Sequence, residues 1–239
     1  MRKPAAISLL LVLLASLVTP VYAAVIIRAT IGQNIHIVLS LENLNSSIYN
    51  EIVQQHLFNV STIPQAILQN LEQRGLEDAE CVYDPSQNIF NNSAKSIHVE
   101  LLLIGQDVVH ITINKTTMNK IYNVRTNWRK FQVNLTDSYS LDFNDYFGSP
   151  LVEWKLEDKT MPIHYYYSFT SSNEFDPACY FILPSTAINP QVAEDGDTLL
   201  FELPLSVGES MLSSPLLILV ALIIVNLVAI FYRRVRRVK

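Results

Sequence analysis

Glycine is scarce in this chain, with six in 239 residues. Nothing resembles a P-loop or a dinucleotide fingerprint, both of which need glycine-rich phosphate cradles. Six glycines and 11 prolines are also too few for a low-complexity or collagenous chain. Cysteine is rarer still. Cys81 and Cys179 are the only two, and no CxxC exists, which excludes a dithiol redox motif and a zinc ribbon. The GxSxG of a nucleophile elbow and the HExxH of a zinc peptidase are missing. No His or Met follows Cys179 closely, as a blue-copper site would require. Charged residues make up only 16% of the chain, and they are unevenly placed. Residues 24–209 hold all 22 acidic and 10 of the 17 basic side chains, a net of −12. That balance excludes a nucleic-acid-binding body.

What is present sets an address. Arg2 and Lys3 precede an apolar run from Ile7 to Val18, Pro20 breaks it, and Val21-Tyr22-Ala23 places small or medium residues at the cleavage positions. Residues 1–23 therefore read as a secretory signal peptide. At the other end, Pro215 to Tyr232 is an uncharged run of 18 residues, about 27 Å as a helix, whose one polar side chain is Asn226. Five basic residues follow in 233–239, which keeps that tail on the cytoplasmic side and the body outside. The expected order is signal peptide (1–23), ectodomain (24–206), juxtamembrane spacer (207–214), transmembrane helix (215–232) and basic tail (233–239). The expected location is the cell membrane, single-pass and type I, with a secretory-pathway membrane facing the lumen as the alternative.

The body alternates apolar and polar residues with a period of two through about ten candidate strands. Ala24 to Ile31 and Asn34 to Leu41 flank Gly32-Gln33, and Leu199, Phe201, Leu203 and Leu205 close the series. The pattern predicts a mainly β, sandwich-like extracytoplasmic domain with an inserted helical hairpin over about 47–76. Ile48, Ile52, Val53 and Leu57 mark its first helix. The second begins near Thr62 with Pro64 in its first turn, and Gly75 sits where a left-handed C-terminal cap belongs. Ser96 to Asn114 reads as a β-hairpin closed by Gly105, Gln106 and Asp107.

Five Asn-x-Ser/Thr sequons lie in the body, at Asn45, Asn59, Asn91, Asn114 and Asn134, and are the expected glycan acceptors. An even cysteine count in an oxidising compartment predicts a Cys81–Cys179 disulfide, nominally about 4–5 kcal/mol in the chain-entropy model. The proposed hairpin would put His98, Glu100 and His110 on one face, a weak candidate metal site set against a plain solvated face. Asp142, Asp145, Glu153, Glu157 and Asp158 surround Tyr139, Tyr146 and Trp154, the composition of a sugar-binding or sugar-cleaving cleft.

The expectation is a membrane glycoprotein with a non-enzymatic ectodomain and no cofactor, a surface or envelope component or an accessory subunit of a membrane complex. Its partners would be the membrane and another membrane protein or a surface-layer component, not nucleic acid. The alternative is a membrane-anchored hydrolase using acidic residues on carbohydrate or peptide.

Overall fold

A computed structural model describes residues 23–55, 62–134, 139–157, 164–168, 175–205 and 222–226. The protein is mainly β, with fourteen strands among the described residues. The two β-rich runs flanking Gly32-Gln33 are strands β1 (Ala23–Ile31) and β2 (Ile35–Glu42), which pair with each other as an antiparallel hairpin. They sit at the centre of an eight-stranded sheet ordered β10-β11-β12-β1-β2-β5-β3, with β4 also pairing β5. The remaining members are β3 (Glu80–Tyr83), β4 (Ile89–Asn91), β5 (Ser96–Ile104), β10 (Lys155–Glu157), β11 (His164–Ser168) and β12 (Phe175–Ile182). All the pairings in it are antiparallel except β1 with β12.

A second, antiparallel sheet runs β13 (Ile188–Val192), β14 (Thr198–Leu203), β7 (Lys120–Arg125) and β6 (Val109–Ile113). Strands β8 (Gln132–Asn134) and β9 (Ser140–Asp142) form a third, small ladder. Alternation decides which faces meet. Val25, Ile27 and Ala29 of β1, Ile37, Leu39 and Leu41 of β2, and Val99, Leu101 and Leu103 of β5 are all buried. Val124, Leu199 and Phe201 of the second sheet belong to the same core, an arrangement consistent with a sandwich-like fold. Tyr122 stacks on Phe201 at 4.9 Å.

Two helices form in the stretch expected to hold the helical insert, α1 (Ser46–Gln55) and α2 (Thr62–Glu72), while Leu57 and the joint between them lie outside the described residues. Ile63, Ile67 and Leu71 turn one stripe of α2 inward. At its end Gly75 takes φ +72°, Gly75 N–H donates to Glu72 O, and Leu76 N–H donates to Leu71 O. These two bonds are the Schellman pattern that satisfies the last carbonyls of a helix.

The predicted hairpin at Ser96 to Asn114 does not form. β5 pairs with β2, β3 and β4, whereas β6 pairs with β7 in the other sheet, so Gly105-Gln106-Asp107 carries the chain between sheets. Gly105 has φ +138°, and a Cβ there would lie 2.0 Å from the Asp78 carbonyl oxygen. Asp78 and Asp107 lock the crossing: Asp78 N–H donates to Asp107 Oδ2 at 2.9 Å, and Gln106 N–H to Asp78 Oδ2 at 3.2 Å.

The predicted disulfide is also corrected, since both cysteines are free thiols. Cys179 is on β12 and Cys81 on β3, with β1, β2 and β5 between them. Four strand spacings are about 19 Å, far beyond the ~7 Å between Cα atoms that a disulfide tolerates. Burial pushes each thiol up to about 12, so both stay protonated at neutral pH.

Of the apolar span 215–232 the structure describes 222–226, a helical stretch in which Asn226 Nδ2 donates to Leu222 O at 2.8 Å. Among the described residues no helix is long and apolar enough to cross a membrane. The expected signal peptide up to Tyr22, the spacer 207–214, the rest of 215–232 and the tail 233–239 lie outside the described residues.

Two outcomes follow. Alkylation of the denatured chain without reductant should add two labels by mass spectrometry, and the native chain should label far more slowly. Gly105→Ala should lower unfolding stability by about 3 kcal/mol in denaturant titration, because backbone rather than a movable side chain blocks the new methyl.

Candidate functional site

The best-organised polar group in the protein is a buried arginine. Arg129 closes a 3-10 turn (Asn127–Arg129) after β7, and its side chain is fully buried. All five of its N–H donors are used. Nε donates to Phe147 O at 2.9 Å, and Nη1 donates to Thr126 O and Thr126 Oγ1 at 3.0 and 2.6 Å. Nη2 donates to Ser149 O at 2.9 Å and to Asp197 Oδ1 at 2.8 Å. The guanidinium carbon also lies 5.1 Å from the Trp154 ring centroid. Desolvation lowers the pKa of Arg129, and the Asp197 carboxylate opposes that shift.

Asp197 is delivered by the turn between β13 and β14. Gly196 takes φ +71° there, and Asp195 Oδ1 accepts the N–H groups of Asp197 and Thr198 at 2.9 and 2.8 Å. Partial burial raises the Asp195 pKa, but those donors, the Thr198 hydroxyl and Arg125 outweigh it, so its carboxyl lies below the usual range. A carboxyl depressed in the folded state stabilises above its unfolded pKa of about 3.9, and this contribution is lost as pH falls through the folded value.

Beside this hub opens a cleft of about 540 Å³. Ala66, Gln69, Asn70 and Gln73 of the α2 segment form one wall. Lys130, Gln132 and Asn134 around β8, with Asp142 and Asn144, form the other. Six carboxamides thus face one opening with a single acid. That acid is engaged: Asp142 caps α3 (Phe143–Phe147), accepting Asn144 N–H at 2.9 Å and Asp145 N–H at 3.3 Å. Lys130 Nζ donates to Asp197 Oδ2 at 2.9 Å, which draws its charge toward the hub. The cleft therefore presents mostly neutral hydrogen-bonding groups, suited to hydroxyl or amide groups.

The residues singled out from sequence are dispersed. His98 and Glu100 share the outer face of β5, where Ser40 Oγ bonds His98 Nδ1 at 2.8 Å and His36 Nε2 lies 3.3 Å from Glu100 Oε2. His110 is on β6, in the other sheet, beside a cleft of about 320 Å³ shared with Asp107, Asn123 and Arg125. The three therefore do not assemble, and no group of three such ligands capable of holding a metal occurs among the described residues.

In the acidic stretch, Asp142 caps a helix and Asp145 and Glu153 are exposed. Asp158 and the Glu157 side chain lie outside the described residues. Tyr146 and Trp154 turn into the aromatic core, with Trp154 5.4 Å from Phe181 and Tyr146 6.2 Å from Phe147. No stacking platform is left for a sugar by those two rings.

Of the sequons, Asn45, Asn91 and Asn134 are exposed, and Asn59 lies outside the described residues. Asn114 is half-buried, and its Nδ2 donates to Glu202 Oε1 at 3.4 Å.

Sequence reasoning missed the Arg129 hub. Its traces are two adjacent basic residues inside Asn127-Trp128-Arg129-Lys130-Phe131, and Asp195-Gly196-Asp197-Thr198 as the turn that answers them. Asp197→Ala leaves a buried guanidinium without its counter-charge and should cost about 3–5 kcal/mol in denaturant unfolding. Glu153→Ala, an exposed control, should stay within about 0.5 kcal/mol. No family model, no curated protein and no solved structure matches this chain, so its functional reading rests on its own residues.

Proposed function

We propose that this chain is a type I, single-pass membrane glycoprotein whose sandwich-like ectodomain is non-enzymatic. It acts as a surface or envelope component, or as an accessory subunit of a membrane complex. The observation that carries the non-enzymatic half is the cleft beside the Arg129 hub. Cleavage of a glycosidic bond by paired acids needs a second carboxyl within about 10 Å. Among the described residues the lining offers Asp142 alone, already committed to capping a helix. Carboxamides at that density favour recognition over bond breaking.

The membrane half is supported by the uncharged run 215–232 and the five basic residues after it. The glycoprotein half is supported by Asn45, Asn91 and Asn134, whose exposed side chains are reachable by a transferase. A glycan on Asn134 would hang over the cleft mouth, since that residue lines it.

The test is cross-linking in native membranes, followed by mild solubilisation, pull-down and mass spectrometry. A stoichiometric membrane partner identifies an accessory subunit, and recovery alone or as a homo-oligomer identifies a self-sufficient surface component. Enzymatic deglycosylation should increase mobility on gels by several steps. Hydrolysis of a glycan or peptide by the purified chain, abolished in Asp142→Asn, would replace this reading with the hydrolase.

A further inference from the structure

The second sheet has two ends, and they differ in chemistry. At one end β14 begins beside the Asp195–Asp197 turn, among ion pairs. At the other, Leu203 is level with Lys120, so the chain leaves the sheet beside the β6–β7 turn. This exit end exposes apolar side chains: Ile113 is 55% exposed, Met118 43% and Ile188 39%. Lys115 is exposed between them.

Met118 is also held at φ +60°, a left-handed conformation that asparagine and glycine adopt at least cost. An unbranched apolar side chain fixed outward at a strained turn tip does nothing for the interior. The turn is rigid nonetheless. Glu202, one residue before Leu203, accepts from Asn119 Nδ2 at 2.8 Å, Asn114 Nδ2 at 3.4 Å and Thr117 Oγ1 at 3.5 Å. Those donors tie the carboxylate nearest the patch to the turn.

We propose that this end of the ectodomain, built from Ile113, Met118, Ile188 and Lys115, seats on the lipid bilayer. The inference rests on the anchor reading above and deepens it. Eleven residues, 204–214, separate the end of β14 from the apolar run, and fully extended they reach about 36–40 Å. The exit end is therefore the part of the domain that the tether holds nearest the membrane. Apolar side chains with an interspersed lysine match the interface between acyl chains and anionic headgroups. Asn114 lies inside this contact with its amide already bonded, and it stays without a glycan while Asn45, Asn91 and Asn134 are modified.

The test uses the full chain in nanodiscs containing lipids brominated near the headgroup, which quench tryptophan on contact. Native Trp128 and Trp154 are buried and give a constant background. Ile113→Trp should lose about half of its added emission, as expected for a ring at the headgroup boundary. Met118→Trp should do the same if the strand variant misfolds. Val152→Trp, beside the opposite end of the sheet through the Leu151 N–H to Gly196 O bond, should be unquenched. Leu222→Trp, near the middle of the apolar run, reports the anchor itself in companion nanodiscs whose lipids are brominated near the acyl-chain ends.

Quenching of Leu222→Trp without Ile113→Trp or Met118→Trp overturns the inference, leaves the anchor standing and gives the patch to a protein partner. An unquenched Leu222→Trp removes the anchor reading and this inference with it. Equal quenching of Val152→Trp also overturns it, because the domain would then have no preferred face. A glycan found on Asn114 overturns it as well, since the sugar would hold this end away from the lipid.

Discussion

A cation with no access to water holds the non-sheet half of this domain in place. Arg129 donates five hydrogen bonds, and its partners come from three separate stretches: the link after β7, the residues that follow α3, and the β13–β14 turn. Stripping a guanidinium of solvent costs several kcal/mol, and that cost is offset only if every donor finds an acceptor and the charge finds its opposite. The carbonyls of Phe147 and Ser149 therefore have little freedom, and neither has the Asp197 carboxylate. The aromatic residues Phe143, Phe147, Trp154 and Phe181 then pack in the space those constraints leave.

The same interaction shapes the cleft beside it. Lys130 follows Arg129 directly and shares its counter-ion, so the one cation on the cleft wall is drawn toward the hub. Asp142 is spent on the α3 N-terminus. Both charges available to the opening are thus committed to architecture, and what faces solvent is a set of carboxamides. The ion pairs of Arg125 and Arg129 sit at one end of β14, and Ile113, Met118 and Ile188 are exposed at the other.

Local signals made part of this legible. The helical insert could be read because its determinants lie within a few residues of one another: a proline in the first turn, an apolar stripe, and Gly75 with Leu76 to close the cap. The two strands that flank Gly32-Gln33 were equally local. The link from β5 to β6 was not. Alternation fixes which side chains of Ser96–Ile104 and Val109–Ile113 face inward, but a strand pair and two strands on opposite sheets present the same alternation. Only the partners, β2 and β7, separate the cases, and they are distant in sequence. The cysteines failed for a related reason, because an even count says nothing about how many strands stand between them. Arg129 was illegible because a pattern reading places every arginine in solvent. The acceptors that make its burial tolerable are mostly backbone carbonyls, which carry no residue-specific mark.

The position of β1 has a consequence for how the protein is made. β1 is the first strand of the body, yet it is a central strand, bounded on one side by β2 and on the other by β12, with Ala24 level with Asp176. Its second edge stays open until almost the whole body has been synthesised. The parallel pairing gives the fold a high contact order, and the closing step must find its partner across a long stretch of intervening chain. A nascent hairpin rich in Val and Ile with one bare edge is sticky in that interval. That edge is closed to other chains only when β12 arrives to pair with it.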